Sequence, residues 1–175
     1  MVDPTVISTI VPRSERDILV HGTAAQAEYE NSAPPNGVVY RGWGAVAVGE
    51  NQHAWIHLPI PIAVDISGGA RAIVEETPFE GLGRLVRLEV HYELTSIVEI
   101  RNLHLWDGGH RFFNWDFPDS HPSSLQIGAT ELHWHGSRGI EDSLGISIGV
   151  IFPTAIDSPE PPTSFTLFCA RAHLE

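Results

Sequence analysis

A chain of 175 residues with 22 acidic side chains, ten arginines and no lysine carries a formal charge of −12, which repels nucleic-acid phosphates and anionic lipid headgroups. Without a lysine ammonium there is no Schiff-base chemistry and no P-loop phosphate grip. The single cysteine, Cys169, rules out an intrachain disulfide.

The length suits one domain spanning 1–175, with its core over about 5–172. The opening residues Met1-Val2-Asp3-Pro4 lack a basic region followed by an apolar run, so the expected location is the cytoplasm. No stretch reaches the uninterrupted apolar length of a spanning helix.

Read from the N-terminus, the dominant period is two. Strands are expected at 5–11 and 17–22, with Thr23 to Tyr29 read as an extended continuation, because Ala25, Ala27 and Tyr29 alternate. A strand over 43–48 follows, with Trp43 between two glycines expected to pack inside. In the 53–66 strand, Ile60, Ile62, Val64 and Ile66 share a face, and Pro59 and Pro61 point to a sheet edge. After an expected strand at 71–76, Leu88 to Leu94 alternates without a miss inside an 84–95 strand. Strands at 97–106 and 110–115 are joined by Asp107-Gly108-Gly109, a tight-hairpin signal. Strands at 125–135, 144–152 and 163–172 complete the series. In the second of these, Ile146, Ile148, Val150 and Phe152 form one face. Gly68-Gly69, Pro34-Pro35-Asn36-Gly37 and the segment 157–162 read as turns and loops. The expected fold is therefore all-β: an antiparallel two-sheet β-sandwich, jelly-roll-like, of about ten strands with little helix.

Several short motifs recur in one order: His21-Gly22, Arg41-Gly42-Trp43-Gly44, Trp55 through Pro61, Leu103 through Gly108, and Leu144 through Val150. On these motifs the chain resembles a family of small bacterial single-domain β-sandwich proteins filed as a domain of unknown function. The resemblance spans roughly 18–172. It implies the fold and assigns no activity.

Two constellations could carry chemistry. Glu131, His133 and His135 share one face of a strand, and Leu132 and Trp134 the other. They are either the solvated face of an amphipathic strand or a two-His-one-carboxylate ligand set. The ligand set would hold a divalent transition metal, Zn or Fe, and imply a hydrolase, lyase or oxygenase. The second constellation is His53, His57, His104 and His110, with Trp55 and Trp106 among them, beside the hairpin at Asp107. If their strands are close, imidazoles and indoles line one patch, the surface on which a carbohydrate or other small molecule stacks. The alternative is that each Trp is core. The sequence has no G-x-S-x-G elbow and no EF-hand loop. Cys169 reads as a buried strand thiol. The leading expectation is a non-enzymatic ligand-binding or structural module needing no cofactor, with the metal enzyme second. A low charged fraction of 18% and the proline-bearing edge leave monomer and homo-oligomer open.

Overall fold

The computed structural model describes residues 16–31, 37–62, 83–95, 97–153 and 163–175. The expected strands 5–11 and 71–76, the Val64–Ile66 end of the 53–66 strand, and the turn and loop at Gly68-Gly69 and 157–162 lie outside them.

Among the described residues there are twelve strands: β1 (Arg16–His21), β2 (Gln26–Tyr29), β3 (Val38–Arg41), β4 (Gly44–Val48), β5 (Gln52–Ile60), β6 (Gly83–Leu94), β7 (Glu99–Asp107), β8 (His110–Asp116), β9 (Leu125–Ile127), β10 (Glu131–Ile140), β11 (Leu144–Phe152) and β12 (Ser164–Leu174). They form two antiparallel sheets. The first runs β3-β4-β12-β6-β10-β9, with β1 also paired to β12, and the second runs β2-β5-β11-β7-β8. Alternation explains why two sheets suffice. Ala54, Ile56, Leu58 and Ile60 of β5 are buried, as are Ile146, Ile148 and Val150 of β11 and Leu103 and Leu105 of β7. They meet Leu85, Leu88 and Val90 of β6, Leu132 and Trp134 of β10, and Phe165, Leu167 and Ala170 of β12. Burial of two facing apolar sets, at roughly 25 cal/mol per Å² of apolar surface, is what holds the sheets together. The all-β two-sheet sandwich is thus the fold.

Four local expectations are corrected. The segment after β1 does not continue as a strand. His21 caps a 3-10 turn at Gly22–Ala24, its Nδ1 taking the Thr23 N–H at 3.2 Å, and the chain then crosses to the second sheet as β2. Residues 125–135 are not one strand but a hairpin: Gly128 N–H donates to the Glu131 carbonyl at 2.7 Å, and β9 folds back so that Leu125 faces Trp134. Trp43 is 53% exposed, because the turn between β3 and β4 puts it at the sheet's outer corner, where it leans on Phe168 at 5.8 Å between ring centroids. Finally, β5 pairs with β11 along its whole length and with β2 only from Ala54 to His57. Pro59 lies beyond the end of β2, so its missing N–H faces an open flank inside an otherwise interior strand. The β7–β8 hairpin forms as expected, with His110 opposite Asp107 and Gly108 at a φ of +55°, a conformation that favours glycine.

Candidate functional site

The outward face of the second sheet gathers Trp55, Trp106, His53, His57 and His104. Burial of the even positions of β5 turns His53, Trp55 and His57 outward, and burial of Leu103 and Leu105 turns Asn102, His104 and Trp106 outward on β7. The two strands are not neighbours. Between them runs β11, whose outward positions are Gly145, Ser147 and Gly149. Row by row, Trp55 sits opposite Gly149, His57 opposite Ser147, and Pro59 opposite Gly145. On the other side Gly149 faces Asn102, Ser147 faces His104, and Gly145 faces Trp106. A floor of hydrogen and hydroxymethyl groups lets the rings on either side lean across it. Trp55 and His104 meet at 4.7 Å between centroids, His53 is edge-on to Trp55 at 5.1 Å, and Trp55 and His57 are nearly parallel at 6.5 Å. Trp55 and Trp106 are both half-buried, so neither is core.

Directed hydrogen bonds hold these rings. The Trp106 indole N–H donates to Ser147 Oγ at 3.0 Å, and the Ser147 hydroxyl donates to His57 Nδ1 at 2.9 Å. That leaves His57 Nε2–H facing Glu28 Oε2 at 3.4 Å. His104 Nε2–H donates to Asp116 Oδ1 at 2.8 Å, and Arg111 reaches His104 Nδ1 at 3.4 Å. Asn102 donates to the same Asp116 oxygen at 2.7 Å. Partial burial pushes the Asp116 carboxyl up, but the hydrogen bonds from Asn102 and His104, with the nearby His104 charge, outweigh it and hold the group below the usual carboxylate range. His53 Nδ1 lies 3.0 Å from Glu30.

Two open grooves flank the Trp55–His104 contact on this face. One, of about 510 Å³, is lined by Gln26, His57, Pro59, Trp106, Gly145 and Ser147 among others. The other, of about 470 Å³, is lined by Glu30, His53, Arg101, Asn102, Phe117 and Ile151.

Of the residues expected at this patch, Trp55, His57, His104 and Trp106 come together and Asp107 does not. Asp107 is 5% exposed and turned away. Its carboxylate accepts the backbone N–H groups of Glu141, Asp142 and Ser143 at 2.9, 2.9 and 3.3 Å, so it organises the β10–β11 turn. Sequence reasoning missed Ser147 and Glu28 altogether and gave Asn102 and Arg111 no role. The alternation of Ile146, Ile148 and Val150 implied that Gly145, Ser147 and Gly149 share the opposite face. Their place between β5 and β7 depends on strand order, which alternation does not encode.

Glu131, His133 and His135 do point outward from β10, on the other sheet. There Glu131 is shared between His133 Nε2 at 3.1 Å and His91 Nδ1 at 3.3 Å, a neighbour supplied by β6. The His133 and His135 rings stack in parallel at 6.5 Å. Parallel rings on a flat, open strand do not converge on one point, and among the described residues no group of three or more His, Cys, Asp or Glu side chains is placed to hold a metal ion. Glu131, His133 and His91 form a network of carboxylate and imidazole on this outer face. Cys169 is half-buried, and burial pushes its thiol up, away from nucleophile chemistry.

Among the described residues no helix is long and apolar enough to cross a membrane. No protein-family model matches the chain, and no curated protein matches it. Among solved structures the chain is similar to a xylan-binding module, CBM15, at 11% identity and a TM-score of 0.40, over 92% of this chain and 97% of that one. That likeness is too slight to transfer a role.

Proposed function

We propose that the protein is a non-enzymatic binding module and that the outer face of the five-stranded sheet binds a neutral carbohydrate. The observation that carries this reading is the row pattern. Half-buried Trp55, His57 and Trp106, with buried His104 beneath, stand on either side of the Gly145, Ser147 and Gly149 floor, with polar groups held in fixed directions between them. A sugar ring has an apolar face of C–H bonds and a rim of hydroxyls. The indoles suit the first, and Glu28, Glu30, Asn102 and Asp116 suit the second. Charge selects within the class: three carboxylates on the rim and a net charge of −12 disfavour polyanionic chains.

Glu28, His57 and Ser147 also line up as a carboxylate, an imidazole and a hydroxyl, an order that nucleophilic enzymes use. Two features favour a bracing role instead. Ser147 is 5% exposed, and one lone pair of its oxygen already accepts the Trp106 N–H.

The test is titration of the protein with a broad panel of neutral oligosaccharides, followed by tryptophan fluorescence and calorimetry, on wild type and Trp106→Ala. The expected result is saturable binding of one glycan class, weakened at least about tenfold by the substitution, equivalent to roughly 1.4 kcal/mol. Retained thermal stability of the variant separates lost binding from lost fold. If no neutral glycan binds, the reading fails.

A further inference from the structure

We infer that the ligand is an extended chain that occupies both grooves at once, running along β11 over the Trp55–His104 contact, rather than one sugar or a chain end held in a single pocket. This rests on the carbohydrate reading above and adds the size and direction of what binds.

The geometry of the rows carries the inference. The groove beside Trp106 and the groove beside Phe117 lie at opposite ends of the same outward face, one opening over Gly145 and Ser147 and the other reaching Ile151. From Gly145 to Ile151, β11 advances six residues, roughly 20 Å at about 3.4 Å per residue. That span exceeds a single sugar ring. No wall closes the face between the grooves. What lies between them is the contact of half-buried Trp55 with buried His104, their centroids 4.7 Å apart. A pocket for a chain end would need one blind side, whereas both grooves are open. Their linings also differ. The Trp106 end is walled by Pro59, Trp106 and the methylene floor of β11, and suits the C–H face of a ring. The Phe117 end carries Glu30, His53, Arg101 and Asn102, and suits hydroxyl groups. Arg101 reaches this end because the ladder between β11 and β7 is irregular there. Gly149 pairs with Asn102 and the next residue, Val150, with Ile100, so Arg101 is the extra residue. Such a bulge re-aims a side chain, and the Arg101 guanidinium lies 3.8 Å above the centre of the Phe117 ring, which is 54% exposed. Two unlike subsites on either side of the Trp55–His104 contact fit successive units of one chain.

The experiment compares two-unit and six-unit members of the glycan class that binds, by calorimetry, on wild type and two variants. Phe117→Ala removes the exposed platform at one end. Gly145→Leu fills the other groove, and it does so where a side chain can start, since an added Cβ would sit 3.6 Å from the Trp106 Cβ, an ordinary contact distance. Wild type is expected to bind the six-unit chain at least about tenfold more tightly than the two-unit chain, because the second subsite engages without a new bimolecular step. Phe117→Ala should abolish that gain, so that the six-unit chain binds no more tightly than the two-unit chain. Gly145→Leu should weaken both lengths. Equal affinity for the two lengths in wild type, or a length gain that survives Phe117→Ala, overturns the two-groove inference and leaves the carbohydrate face standing. Binding of neither length removes both.

Discussion

Trp106 and Ser147 are joined across the β7–β11 pairing by an indole N–H to hydroxyl bond of 3.0 Å, and the same hydroxyl passes its proton toward His57. One small side chain therefore fixes the rotamer of an indole on one strand and the tautomer of an imidazole on another.

Replacing that hydroxyl should be felt in both directions. Ser147→Ala leaves a half-buried indole N–H and an imidazole nitrogen without partners, at an expected cost of about 1–3 kcal/mol in unfolding free energy. Urea denaturation followed by tryptophan emission measures it. Ser147→Thr, which keeps the hydroxyl, should recover most of the loss if the bonds matter. A null effect of Ser147→Ala would mean that the rings are held by packing alone.

Asp107 makes the opposite point about reading function from sequence. Next to a hairpin and three residues from His104, it looks like part of a site, yet its oxygens are taken by three backbone N–H groups of the β10–β11 turn. Hydrogen bonds to a charged acceptor contribute about 1.5–3 kcal/mol each before coupling between them is counted. Asp107→Ala should thus lower stability by about 3 kcal/mol, and Asp107→Asn, which retains one acceptor oxygen, by less. Glycan affinity measured well below the melting temperature should stay within about twofold of wild type, as non-contacting substitutions do. A larger loss of affinity with intact stability would return Asp107 to the site.

How much of this was legible follows from what alternation can and cannot encode. Strict period two at Leu88 to Leu94 and at Ile146 to Phe152 reported burial directly, because each side chain's face is set by its own position. The same rule placed Trp55 with His57 and His104 with Trp106. Alternation carried the signal at the turn, but a single 125–135 strand overlooked it. Leu125 and Ile127 occupy odd positions and Leu132 and Trp134 even ones, yet all pack toward the core, so the parity shift across Gly128 marks the reversal. Strand order was also beyond reach. His91 joins Glu131, and Glu28 joins His57, through pairings between segments 40 and 29 residues apart along the chain, by subtraction of their numbers. Glu131, His133 and His135 were legible as one face of a strand; the ladder beside it adds His91, which that strand alone does not show.

The reversal at Gly128 also gives the sharpest dependence on pH. Tyr92 is 1% exposed, and its hydroxyl donates to the Gly128 carbonyl at 2.6 Å, tying β6 to the β9–β10 turn. Burial pushes this phenol from its ordinary value of 10.0 up to about 12, since the phenolate cannot be solvated where it sits. The folded-state value is the higher one, so the stabilisation is fully present below pH 10, where both states carry the proton. It is lost as pH rises through about 12, because the unfolded chain ionises first and draws the equilibrium toward itself. A shift of about two units corresponds to about 3 kcal/mol at most. Stability from urea titrations is expected to be level in this respect up to about pH 10 and to fall steeply beyond it. Tyr92→Phe, which keeps the ring and removes the ionisable group, should be about 1 kcal/mol less stable at neutral pH for want of one hydrogen bond. It should decline less than wild type above pH 10, the remaining slope coming from Tyr29, whose phenol is likewise pushed up to about 12 by burial. If the two proteins lose stability in parallel as the phenolate absorbance grows in, Tyr92 is not the group whose ionisation opens the sandwich.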